Sequence, residues 1–153
     1  MANFTENDVL AIGCDHGGYE LKNAIISHLV DRGIAYKDFG CFDGAAVDYP
    51  EIALKVTDAI ASGECKLGIL VCGTGIGMSL AANKVNGIRA AACSEQFSAK
   101  YTRLHNDSNV LCLGGRVIGP GVANEMVDLF IDTDFEGGRH QRRVDMVMAI
   151  EKK

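Results

Sequence analysis

The sequence has 153 residues, of which 48% are apolar and 23% charged, and a formal net charge of −5 at pH 7. That length suits one domain, residues 1–153, with a full hydrophobic core, and the composition excludes a disordered chain. The acidic balance excludes a surface that binds nucleic acid or an anionic membrane as a whole, so any anion site must be a local concentration of positive charge.

Taken in chain order, short apolar runs alternate with helical patterns. The opening MANFTENDV lacks the basic flank and apolar centre of a secretion signal. VLAIGC (9–14) reads as a strand ending at Asp15-His16-Gly17-Gly18, and a helix follows in which Leu21, Ile25 and Leu29 share a face. It ends near Gly33. IAYKDFG (34–40) is a second strand, followed by a polar loop and a helix with Ile52, Val56 and Ile60 in register. LGILVC (67–72), the most apolar strand, runs into GTGIG (73–77). IRAAAC (88–93) and NVLCLG (109–114) supply strands four and five. Phe97, Tyr101 and Leu104 mark the helix between them, and Val122, Met126 and Phe130 mark the next one. After Glu136-Gly137-Gly138 a last helix carries the apolar stripe Val144, Val147 and Met148, which must pack somewhere, with another subunit as one partner.

Five β–α units imply an α/β protein with a parallel five-stranded sheet, helices on both faces and a C-terminal helix. The strands are apolar throughout, as expected where both faces are covered. No run reaches the length of a membrane span. Cys14, Cys72, Cys93 and Cys112, four of six cysteines, fall in or beside the apolar runs, and no pair has CxxC spacing. Free thiols in a reducing cytoplasm are the expectation, with no metal site.

In an open parallel sheet, ligands bind beyond the carboxyl ends of the strands. That rim receives Asp15 and His16 from strand one, Asp48 and Tyr49 after strand two, Cys72 and the glycine loop from strand three, and Gly114, Gly115 and Arg116 from strand five. The loop Gly73, Thr74, Gly75, Ile76, Gly77 offers unpaired N–H groups to a phosphate or to an oxyanion that develops on a substrate; alternatively it is only a tight turn. Cys72 stands where such dipoles favour a thiolate, able to act as nucleophile, metal ligand or base, although a buried cysteine is more often a small apolar residue. His105-Asn106-Asp107 closes the fourth helix at the opposite end of the sheet, so a catalytic His105 would have to serve a neighbouring subunit's site. Arg139-His140-Gln141-Arg142-Arg143 concentrates positive charge, with Arg139 and Arg143 on one helical face suited to phosphate beside the rim, or else simply solvated.

Together these segments resemble the ribose-5-phosphate isomerase B family, whose wider group includes galactose-6-phosphate isomerase subunits. The resemblance is carried by GCDHGG (13–18), DYP (48–50), CGTGIGMSLAANKVNGIRAA (72–91), HNDSNVLCLGGRV (105–117) and EGGRHQRRV (136–144). It implies a Rossmann-like homodimer, or a tetramer, with sites shared between subunits and no metal or organic cofactor. It implies Cys72 as the base at C2, His105 as a group that opens the sugar ring, and Asp15 near the sugar. The loop 73–77, with Thr74, would stabilise the enediolate. His16, Tyr49, Asn106, Arg116, Arg139, His140 and Arg143 would contact the substrate, the arginines chiefly at its phosphate.

The implied activity is interconversion of ribose 5-phosphate and ribulose 5-phosphate through an enediol. Isomerisation of allose 6-phosphate or galactose 6-phosphate is the alternative on the same framework. A nucleotide-binding protein using GTGIG, with Glu95 as ribose-binding acid, is a rival, but the loop is GxGxG rather than GxGxxG and follows strand three rather than strand one. A redox sensor built on Cys72 is a second rival.

Overall fold

The structure, a computed structural model, describes residues 3–153; Met1 and Ala2, at the head of the segment read for a secretion signal, lie outside it. The strands are β1 (Leu10–Cys14), β2 (Tyr36–Asp38), β3 (Leu67–Cys72), β4 (Ala90–Ala92) and β5 (Val110–Gly114). The helices are α1 (Tyr19–Asp31), α2 (Tyr49–Ala61), α3 (Ile76–Ala82), α4 (Gln96–Asn106), α5 (Pro120–Asp132) and α6 (Arg139–Ala149), with short 3-10 turns at His16–Gly18 and Ile150–Lys152. All strand pairings are parallel, in the order β2-β1-β3-β5-β4.

The apolar runs decide this layout. β1, β3 and β5 are buried along their whole length and form the middle of the sheet. On one face Leu21, Ile25 and Leu29 of α1 pack with Met126, Val127 and Phe130 of α5; on the other, Ile52 and Val56 of α2 pack with Met78 and Ala82 of α3. The two helical layers therefore lie where a parallel sheet with two apolar faces requires them.

The edges depart from the sequence reading. β2 covers only 36–38 and β4 only 90–92, and both are largely accessible. An edge strand has one neighbour and a thinner helical cover, so apolar composition around it does not enforce full burial. The inner face of α4 also differs. Ala99, Thr102 and Arg103 point inward, whereas Phe97 is 67% exposed. Ring stacking explains the outward row: Phe97 lies 4.1 Å from Tyr101, centroid to centroid, so the aromatics cover one another on the surface. On α5 the inward set is Ala123, Met126, Val127, Phe130 and Ile131, with Val122 turned outward. Of the α6 stripe, Val144 is buried while Val147 is exposed, because the helix rests on α4 along one narrow edge. Among the described residues no helix is long and apolar enough to cross a membrane.

Candidate active site

The carboxyl end of the sheet brings four segments together. After β1, Asp15 accepts hydrogen bonds from the Gly17 and Gly18 N–H groups, at 2.8 and 3.2 Å, which fixes its carboxylate at the head of the 3-10 turn. A Cβ on Gly17 would sit 3.0 Å from the Gly73 nitrogen, so this turn abuts the loop after β3. His16, on the outer side of the turn, is exposed.

Cys72 ends β3 and is buried, and the Gly75 N–H donates to its sulfur at 3.1 Å. Gly75 has φ +80°, and a Cβ there would come within 3.0 Å of the Cys112 carbonyl, which is the reason for glycine at this position. Because α3 has only two turns, the loop's own N–H groups, rather than a long helix, supply the polarity at this point. The Thr74 hydroxyl accepts from the Ile76 N–H at 3.3 Å and bends the loop into α3. Tyr49 is the first residue of α2 rather than a loop residue, and its ring covers Gly77, where a Cβ would come within 3.0 Å of it. After β5, Gly115 N–H donates to the Cys72 carbonyl and Arg116 N–H to the Gly73 carbonyl, which lays the Arg116 side chain along Gly73.

The other cysteines have different surroundings. Burial pushes the Cys14 thiol up to about 12 and the Cys93 thiol to about 11, and raises Cys112 well above its ordinary range, so these remain protonated near neutral pH. All six cysteines are free.

A second cluster forms elsewhere. α4 returns the chain from the end of β4 to the start of β5, so His105 and Asn106 lie where strands begin, while Cys72 lies where β3 ends. His105 stacks on His140 with centroids 4.0 Å apart and planes 9° from parallel, and its other side meets the edge of Tyr101. Glu136 Oε2 is 3.6 Å from His105 Nε2 and 3.8 Å from His140 Nε2. These three side chains are the group whose spacing among the described residues could hold a metal ion. Burial, then His105 and the two arginines Arg139 and Arg143, push the His140 imidazole below its ordinary range, while Glu136 opposes them. His105, Asn106, His140 and Arg143 line one cleft of about 880 Å³.

Within one chain, Asp15, His16, Tyr49, Cys72, the loop 73–77 and Arg116 are thus brought to the sheet's carboxyl rim, and His105, Asn106, Arg139, His140 and Arg143 are not. Within one chain Arg139 and Arg143 do not stand beside that rim, contrary to the sequence reading, because α6 docks against α4 and follows its end of the sheet. Glu95, weighed as a ribose-binding acid, instead accepts from the Ser98 N–H and caps α4. Sequence reasoning named Asp107 only as part of the helix end and gave Arg89 and Arg103, which hold that end with it, no role; the signal was an aspartate just past a helix end, a usual place for a left-handed residue.

The family model described as Ribose/Galactose Isomerase matches residues 10–147. The chain belongs to the ribose/galactose isomerase family. Ribose-5-phosphate isomerase B of Escherichia coli is 50% identical over 144 residues, covering 94% of this chain and 97% of that protein. The structure of Clostridium thermocellum ribose-5-phosphate isomerase B superposes with a TM-score of 0.92 at 50% identity, covering 94% of this chain and 97% of the other. That of Mycoplasma genitalium ribose-5-phosphate isomerase B, solved with bound ribulose-5-phosphate, gives 0.92 at 40% identity over 97% and 99% of the two chains. In this ribose/galactose isomerase the rim and the α4–α6 cleft both fall inside the matched residues, apart from the last turn.

Proposed function

We propose that the protein interconverts ribose 5-phosphate and ribulose 5-phosphate, with Cys72 as the base that carries a proton between C1 and C2. The observation that carries the site assignment is the Gly75 N–H donating to the Cys72 sulfur, in the glycine loop that leads from the sheet's carboxyl rim into α3. Family membership, and relatives at 50% identity across nearly the whole chain, support the reaction and substrate.

Each requirement of the reaction has a residue to meet it. Ribose 5-phosphate is mostly a furanose, so the C1–O4 bond must break first: the C1 hydroxyl loses a proton and O4 gains one. His105 is the group assigned to this transfer. The thiolate of Cys72 then removes the C2 proton, and charge builds on O1 as the enediolate forms. N–H groups of the 73–77 loop, with Thr74, receive that charge; an oxyanion donor of this kind is worth about 10²–10³ in rate. The O2 hydroxyl then gives its proton to O1, and return of the carbon-bound proton to C1 leaves C2 as the carbonyl of ribulose 5-phosphate. Asp15, held by Gly17 and Gly18, orients the sugar hydroxyls, with His16, Tyr49 and Asn106 around them. Arg116, Arg139, His140 and Arg143 serve the phosphate and its approach, since guanidinium forks match phosphate oxygens.

Since one chain separates Cys72 from His105, the assigned site is shared between two subunits of a homodimer. Ile76 and Leu80, one turn apart on α3 and 56% and 63% exposed, give an apolar surface beside the rim that a second copy would cover. The expected setting is the cytoplasm. The test is isomerisation of ribose 5-phosphate by the purified protein with Cys72→Ala alongside. A positioned base is worth about 10²–10⁴ in rate; turnover by the mutant close to wild type would remove Cys72 from its role.

A further inference from the structure

The end of α4 is held by an unusual number of polar contacts for a helix terminus. Arg103 and Asp107 are 3% and 6% exposed. The Arg103 guanidinium donates to Asp107 Oδ1 at 2.9 Å and to the Ser108 carbonyl at 2.7 Å. Arg89, arriving from the start of β4, donates to Asp107 Oδ2 at 3.2 Å, to the Asp107 carbonyl at 2.6 Å and to the Asn106 carbonyl at 3.1 Å. Two guanidinium groups thus face one carboxylate, and the surplus positive charge lies on the carbonyls that end the helix, where a cation is favoured. Asp107 itself is left-handed, with φ 47°, and closes the helix through its own N–H to the Arg103 carbonyl.

The residues this arrangement immobilises are His105 and Asn106. Among the described residues the His105 ring has no close hydrogen bond: its ring neighbours are Tyr101 and His140, and the Glu136 carboxylate stands off at 3.6 Å. Its aim therefore depends on the backbone that carries it. On the other side of that backbone, the Glu136 N–H donates to the Leu104 carbonyl at 3.0 Å, so three segments of the chain converge on one helical turn.

We propose that Asp107, clamped between Arg103 and Arg89, is a positioning residue that fixes His105 and Asn106 for opening the sugar ring. This rests on the assignment of His105 to that step. The clamp acts on ring opening and not on proton abstraction at Cys72, which belongs to the other end of the sheet and, within a dimer, to the other chain.

Ribulose 5-phosphate separates the two steps. Its C5 oxygen carries the phosphate, so it forms no furanose, and its C1 proton can be removed and replaced by deuterium from solvent with no ring chemistry at all. In deuterium oxide we would measure deuterium entry at C1 of recovered ribulose 5-phosphate and, separately, net conversion of ribose 5-phosphate to ribulose 5-phosphate, which cannot begin until the ring is opened. Asp107→Asn keeps a residue that accepts the left-handed conformation but removes the charge. It should lower net conversion by about tenfold, as a small misplacement of a reacting group does, while C1 exchange stays within about threefold of wild type. Arg89→Gln, at the partly exposed limb of the clamp, should show the same separation more weakly and covers the case in which Asp107→Asn does not fold. His105→Ala is the reference. If it lowers exchange and conversion alike, the ring-opening assignment of His105 fails and the clamp proposal falls with it. If His105→Ala separates the two rates but the clamp variants lower both equally, or neither, Asp107 is structural only and the proposal is overturned.

Discussion

Single residues differ here through their neighbours more than through their type. Cys14, Cys93 and Cys112 are thiols raised by burial, whereas Cys72 receives the Gly75 N–H on its sulfur. His140 offers a pH dependence with a definite sign. Burial, reinforced by His105, Arg139 and Arg143, lowers its affinity for a proton in the folded protein. Below about pH 6.5 the unfolded chain therefore takes up that proton first, and stability contributed at neutral pH is lost as the pH falls. His140→Gln, which has no proton to gain, should lose less thermal stability than wild type between pH 7 and pH 5. Melting temperatures across that range check it; parallel curves would show that His140 titrates normally. The sequence alone made the residue types at the rim legible, because strand ends and glycines can be read. It did not reveal the stacking of His105 on His140 or the Arg89 limb of the clamp at Asp107, since these join separate segments of the chain.

At the level of elements, the loop between β2 and α2 shows how a site is braced from below. Lys22 of α1 is fully buried, and its ammonium donates to both Asp38 oxygens at 2.8 Å and to the Cys41 carbonyl at 2.7 Å. Asp38 also accepts from the Gly40 N–H at 2.9 Å. This ties the end of β2 and the start of the loop to α1, and that loop leads to Tyr49 over the glycine loop. Lys22→Met preserves the apolar stem but leaves the carboxylate unpaired. Breaking a buried pair in this way costs about 3 kcal/mol, the low end of the usual range because Asp38 keeps some contact with water and with Gly40. Urea denaturation should show that loss; a change under about 1 kcal/mol would mean the pair contributes little beyond its desolvation. Periodicity placed α1 and α2 correctly, with Leu21, Ile25, Ile52 and Val56 inward as expected. It misplaced the face of α4 because Phe97 and Tyr101 satisfy each other on the surface, and hydrophobic spacing does not distinguish a stacked exterior pair from a core stripe.

At the scale of the whole molecule, the division of the assigned residues between two ends of one sheet is the decisive feature. The central strands leave no route by which His105 could reach Cys72 of its own chain, since parallel topology places the end of α4 beside the start of β5. The assigned chemistry then requires two chains, and the requirement can be tested without knowing the interface in detail. Cys72→Ala and His105→Ala chains, each defective alone, should regain activity when unfolded together and refolded as a mixture. With random pairing about half of the dimers are mixed. A mixed dimer holds one site with both lesions and one with both native residues, so the mixture should recover about a quarter of wild-type activity. Recovery near that level establishes that each site draws Cys72 and His105 from different chains. A mixture that stays at the level of its inactive parents, although sedimentation shows mixed dimers, places both residues' functions within one chain and removes the shared site.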